Sequence, residues 1–304
     1  MASTSSKRAP SSSCGRASTD RLFFTALLVL LTVGVFGQRG NQEVGLQVGV
    51  SNYLGDLAVE RAQFFEFQPQ AFRPAVTILY RNNFNRFASV RVHAGLCRIV
   101  GDDAWSDRAW QRDRNLSFRS NIFDVSVMFE WNWLPYGIGD VRSNRWTPYL
   151  GAGIGVYYFN PKAELNGEWV ELQPLGTEGQ GLIEYPNRTK YSRLAFTVPL
   201  AFGVKVNVSR KLAIGVETRF MYNFHDYLDD VSTVYPDLSL YEENYIQAIA
   251  DEARTLSYRQ GDEPGNVGGR KRGNSDKDDQ FFMYMINLSY SIGTGHVQCP
   301  TFRR

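Results

Sequence analysis

Long apolar runs are almost missing from this sequence. One exists, residues 22–36, and it is shorter than the roughly 20 residues a spanning helix needs; no later stretch is apolar enough for a transmembrane helix. Cysteine is scarce, with only Cys14, Cys97 and Cys299. Proline is infrequent, and neither charge sign is in excess, since the formal net charge is +2, so composition makes no case for nucleic acid. Also missing are a nucleophile elbow, a phosphate loop, Cys/His metal spacing and a dinucleotide fingerprint. No cofactor and no small-molecule substrate is expected, and the chain does not read as an enzyme.

The beginning of the chain reads as an export signal. Lys7, Arg8, Arg16 and Arg21 form a positive region before the apolar core, and Val35 and Gly37 are small enough for positions −3 and −1. The expected cut therefore falls before Gln38, making residues 1–37 a signal peptide. Cys14 precedes the apolar core and so is a poor lipoprotein cysteine. That leaves Cys97 and Cys299. The strand register below puts them near opposite rims, farther apart than a disulfide allows, so two unpaired thiols are expected.

What the sequence has in quantity is aromatic residues (14%) and Gly (27), together with period-two alternation. In residues 194–224, Leu194, Phe196, Val198, Leu200, Phe202, Val204 and Val206 alternate with small or polar residues. After a turn at Ser209 and Arg210, Leu212, Ile214, Val216, Thr218, Phe220, Tyr222 and Phe224 do the same. Successive strand side chains point to opposite faces, and each run exceeds the ~9–11 residues a tilted strand needs to cross hydrocarbon. Six further runs alternate likewise, beginning at Val44, Pro74, Val90, Phe123, Leu150 and Phe282. Connections alternate between short (82–86, 134–145, 208–211) and long (52–72, 99–120, 160–192, 225–280). These features predict an all-β protein, an eight-stranded antiparallel transmembrane β-barrel over residues 38–293. Short turns would face the periplasm and long loops the exterior, with residues 294–304 a periplasmic tail. Trp131, Trp133, Tyr136, Trp146 and Tyr149 cluster at strand ends, as rings do at the headgroup layer.

The inward faces would carry Arg81, Arg91, His93, Asp124, Glu130, Lys205, Glu217 and Arg219. Eight strands enclose an interior barely wide enough for side chains, and charges of both signs there should pair, giving a plug instead of a pore. Of the loops, the fourth is long enough to hold structure. Residues 238–258 read as a helix with Tyr241, Tyr245, Ile249 and Leu256 on or near one side, and residues 261–279, rich in Gly and charge, read as mobile. His225, Asp226, Asp229 and Asp230 sit where the seventh strand ends. An Asp/His protease rim, a calcium site using Asp226, Asp229 and Asp230, and a cluster that simply orders the loop all fit that pattern.

Residues 48–57, Val-Gly-Val-Ser-Asn-Tyr-Leu-Gly-Asp-Leu, resemble the first strand and loop of small outer-membrane barrels from Bacteroidetes. Residues 226–237, Asp-Tyr-Leu-Asp-Asp-Val-Ser-Thr-Val-Tyr-Pro-Asp, are similar to the loop entry of the PorG-like family among them, and residues 272–279 to that family's return. The helical insertion after Leu238 departs from the pattern. The resemblance implies a non-enzymatic outer-membrane part of the type IX secretion machine, associated with the periplasmic ring formed by PorK and PorN. Leu134, Tyr136, Arg142, Arg145, Arg210, Cys299 and Phe302 are then candidates to face that ring. A surface ligand-binding or adhesin-type barrel and a rim-site barrel enzyme are the alternatives.

Overall fold

The structure is a computed structural model that describes residues 42–58, 69–140, 143–261 and 267–292. The expected signal peptide and the tail 294–304 lie outside the described residues, as does Cys299. Eight long antiparallel strands close on themselves: β1 (Gln42–Leu54), β2 (Arg73–Asn83), β3 (Ala88–Asp102), β4 (Ser117–Asn132), β5 (Trp146–Leu165), β7 (Leu194–Asn207), β8 (Leu212–Asn223) and β9 (Gln280–Ser291). Neighbours in sequence pair with each other, and β1 pairs with β9 to shut the barrel. A ninth strand, β6 (Glu168–Glu171), pairs only with the far end of β5, beyond the barrel wall. Asn166 and Gly167 join them with φ of 53° and 86°, the left-handed pair that a two-residue hairpin turn requires.

The alternation read from the sequence sets the two faces of this wall. Phe196 on β7 is 76% exposed and Ile154 on β5 is 74% exposed, while Arg81, Arg91 and Arg219 are wholly buried. An apolar outside around a charged inside inverts a soluble barrel, and it is what a strand wall in hydrocarbon requires. With no free sheet edge, backbone polar groups in the wall are paired across strands.

Two of the three turns are tight for a local reason. Between β2 and β3, the Asn85 side-chain oxygen accepts from the amides of Phe87 (2.7 Å) and Ala88 (2.8 Å). Between β7 and β8, Ser209 Oγ accepts from Lys211 N (3.3 Å) and Leu212 N (3.1 Å). Such side chains complete a turn that backbone bonds alone leave open.

At the opposite end the loops fold into a cap. It holds helices α1 (Ala109–Arg114), α2 (Leu172–Leu175), α3 (Leu240–Asn244) and α4 (Gln247–Ser257). The single helix expected over 238–258 is therefore two, broken where Tyr245 (ψ 158°) and Ile246 (ψ 150°) turn extended. The Tyr241 hydroxyl on α3 donates to Gly176 O (2.8 Å) in the third loop, while α4 buries Ala250, Ala253 and Leu256 and leaves Ile249 exposed. Part of the fourth loop expected to be mobile is packed instead: Val267, Arg272 and Asp279 are buried. One apolar core runs from the loop half of the lumen into this cap, through Ile99, Ile122, Tyr157, Phe159 and Met283 to Leu228 and Leu256.

Candidate functional site

The turn half of the lumen is a salt-bridge network. Glu43 pairs with Arg81 (2.6 Å) and accepts from Asn83 Nδ2 (2.8 Å). Arg81 also reaches Glu130 (3.1 Å), which lies 3.4 Å from Arg91 and accepts from Lys205 Nζ. Glu217 accepts from Arg91, from Arg219 Nη2 (2.7 Å) and from Tyr149 OH (2.7 Å). The Lys205 ammonium also lies over the rings of Tyr136 (4.7 Å) and Tyr149 (4.9 Å). Six of the eight charges read from the sequence thus meet in one network. His93 and Asp124 form a separate pair, 3.1 Å apart, nearer the loops.

Sequence reasoning missed Glu43, Asn83 and Tyr149 as members. Glu43 has inward parity one residue before Val44, where the apolar alternation begins, so the same period extended by one residue includes the acid. The network holds four cations (Arg81, Arg91, Lys205, Arg219) and three carboxylates (Glu43, Glu130, Glu217), all essentially unexposed, with Asp124 supplying a fourth. Charge is therefore balanced within the lumen, as burial demands.

The segment between β4 and β5 folds across the turn-end mouth. Tyr136 N donates to Arg86 O (2.9 Å), Arg86 pairs with Asp140 (2.7 Å), and Asn207 Nδ2 donates to Gly137 O (3.0 Å). Tyr136 is only 2% exposed and packs with Ile138 and Ala213. This corrects its expected place on a partner-facing surface, because its ring is drawn inward over Lys205. Leu134 is half-buried, Arg145 and Arg210 are exposed, and the Arg142 side chain, Cys299 and Phe302 lie outside the described residues.

In the cap, the buried carboxylate of Glu178 joins the third loop to the fourth. It accepts from Ser232 N (2.9 Å), Thr233 N (3.0 Å), Thr233 Oγ1 (2.6 Å) and Arg272 Nη1 (3.1 Å). Asp230, at φ 70°, accepts from Tyr191 OH (2.6 Å) and Thr177 Oγ1 and faces Arg272. Burial pushes Asp230 up to about 6 despite that cation. Asp229 and Asp279 both contact the Tyr53 hydroxyl, at 2.6 and 2.8 Å. A phenol has one proton to give, so one of these carboxyls carries the second. Burial, with the neighbouring acids adding to it, holds both well above the usual carboxylate range. Asp226 is pushed up to about 8, mainly by burial and further by Asp56 and Asp278.

The three acids read as a calcium set therefore face different partners, and among the described residues no group of three His, Cys, Asp or Glu is arranged to hold a metal ion. His225 does not pair with a carboxylate among the described residues. Its Nδ1 accepts from Tyr227 N (3.1 Å), and its ring packs edge-on against Phe159, Tyr191 and Tyr227. Burial lowers its affinity for a proton. These contacts tie His225 to the third and fourth loops.

Several solved structures are similar to the chain. Neisserial surface protein A is 9% identical, with 82% of this chain and 96% of that one covered and a TM-score of 0.39. The attachment invasion locus protein Ail of Yersinia pestis, solved with a heparin analogue, is 9% identical over 83% and 99%, with a TM-score of 0.38. The outer membrane enzyme PagL is 14% identical over 82% and 99%, with a TM-score of 0.30. No curated protein sequence matches the chain. A family profile described as "Domain of unknown function (DUF6089)" matches residues 20–264, and with most of its length so matched the chain belongs to that family.

Proposed function

We propose that the protein is an outer-membrane component of a type IX protein secretion machine, anchoring a periplasmic ring of PorK/PorN-like proteins and conducting nothing itself. The observation that carries this reading is the filled lumen: a network of buried salt bridges at one end and an apolar core at the other. A barrel closed twice over suits an anchor and ill suits a conduit. The resemblance of residues 226–237 and 272–279 to the PorG-like family points to the machine, and the expected export signal points to the compartment. Lipids of the outer membrane and the ring are the partners; Arg145, Arg210 and the tail are the groups offered to the ring. Affinity purification of the native complex from outer membranes is expected to recover ring proteins, and to recover fewer when residues 294–304 are deleted. Recovery of none from the intact chain would sink the reading.

One observation favours a second role at the other end. The cap is folded, yet it exposes Trp110, Ile183 and Ile246, which fits a surface that takes an external ligand or adhesin. Proteolytic shaving of residues 99–120 and 225–280 on intact cells separates the two: secretion lost with the ring still bound favours the outer role.

A further inference from the structure

Between the salt-bridge network and the apolar core lies a layer of the lumen in which several buried polar atoms have no hydrogen-bond partner among the described residues. Strand register places Asn287, Gln47, Thr77, Gly95 and Asp124 opposite one another in turn across β9, β1, β2, β3 and β4. His93 and Ser126 are the next inward pair toward the turn end. Gln47, Thr77, His93, Asp124, Ser126 and Arg219 are each no more than 1% exposed. Even so, Gln47 Nε2, Thr77 Oγ1, His93 Nδ1, Asp124 Oδ1, Ser126 Oγ and Arg219 Nη1 have no hydrogen-bond partner among the described residues. Buried polar atoms left this way are costly, and native interiors seldom keep several together without a bridging ligand.

Three of these oxygens lie over wall positions that carry no side chain. A Cβ on Gly95 would come within 2.5 Å of Asp124 Oδ1 and 2.8 Å of Thr77 Oγ1, and one on Gly155 within 2.2 Å of Ser126 Oγ. The two glycines therefore leave the space that these oxygens occupy against the wall.

The charges decide what such a ligand can be. Asp124 disfavours an anion. Arg219, whose Nη2 donates to Gln47 Oε1, and Arg91, one inward position before His93, disfavour a cation. The set also mixes donors (Gln47 Nε2, Arg219 Nη1) with an acceptor (Asp124 Oδ1) and two hydroxyls that can do either. A small neutral molecule that both donates and accepts meets all of these demands. We propose that this layer is a closed water-binding chamber, in which ordered water molecules bridge Gln47, Thr77, His93, Asp124, Ser126 and Arg219. Toward the loops it is sealed by the buried side chains of Cys97, Ile99, Ile122 and Tyr157, and toward the turns by the salt bridges. The water is part of the structure and belongs to no path.

The test uses the full-length protein refolded into lipid nanodiscs, with water-to-side-chain NOEs measured at Thr77 and Gln47, and a high-resolution crystal structure. Ordered water within hydrogen-bonding distance of Asp124 and Thr77 is the expected result. The double variant Thr77→Val/Ser126→Ala is expected to lose the water signals at its own positions and to keep those at Gln47. If that variant does not fold, the wild-type measurement decides alone. Direct bonds joining Thr77, Asp124 and Ser126 with no water between them would overturn the proposal, and so would an ion in that place.

Discussion

Glu130→Gln tests whether the lumen is closed. Glu130 is wholly buried, lies 3.1 Å from Arg81 and 3.4 Å from Arg91, and is bonded to Lys205. At an effective dielectric of about 20, a contact near 3 Å between unit charges is worth about 5 kcal/mol before desolvation. Most of that is offset by taking the ions out of water, but removing one partner leaves the other charges buried and uncompensated. Breaking a buried pair in this way costs about 3–5 kcal/mol. The substitution keeps the shape of the side chain while leaving Lys205 and two guanidiniums around a neutral amide. We expect a loss of about 3–5 kcal/mol in urea unfolding from lipid vesicles, followed by tryptophan fluorescence and by the heat-dependent mobility of the barrel on gels. Glu130→Gln/Lys205→Met removes one charge of each sign and is expected to regain about half of the loss or more, since a buried pair exchanged for apolar residues is often near neutral. A single-variant loss below about 1 kcal/mol would refute the reasoning, because it would mean that water reaches Glu130 and the lumen is open from the turn end.

Other outcomes follow from the cap and the seam. The raised carboxyls of Asp226, near 8, and Asp230, near 6, favour the fold below the ordinary carboxylate range of about 4, and their contribution is lost as pH rises through those two values. Asp229 and Asp279 act in the same direction. Hydrogen exchange at Leu228 and Val231, whose amides donate to Asp279 and Asp229, corrected for intrinsic rates, should therefore show protection falling from pH 5 to pH 9; a flat profile would sink this reading of the cluster. Glu178→Ala removes the acceptor shared by Arg272 and the 232–233 amides and should cost the cap about 3–5 kcal/mol, seen as faster protease cleavage in the fourth loop while the barrel keeps its folded gel mobility. Gly49→Ala would place a Cβ 1.9 Å from Tyr284 O, so the β1–β9 seam must spread; refolding yield should collapse, and a wild-type yield would show that the seam yields easily.

How much of this was legible in the sequence follows from how each feature is encoded. The wall is written in a local code, period two over runs such as Phe196 to Val206, and one wrong parity would turn every side chain to the other face. Strand number and the inward row of Arg81, Arg91, Glu130, Lys205, Glu217 and Arg219 could therefore be read directly, and a balanced inward row already implied pairing. The cap is written in another way. Glu178 meets Arg272 across 94 residues and Tyr53 meets Asp279 across 226, and no local pattern records contacts between loops. For the same reason residues 261–279, polar and Gly-rich, read as mobile although Arg272 and Asp279 are buried, their charge answered by partners from other loops. Tyr136 failed for a third reason: an aromatic at a strand end fits the headgroup girdle and the mouth of the lumen equally well. Its fate depended on Lys205, a cation set beneath the mouth by a different hairpin. Local alternation determines where the wall stands, and what fills and covers it is decided by pairings that exist only once the wall has closed.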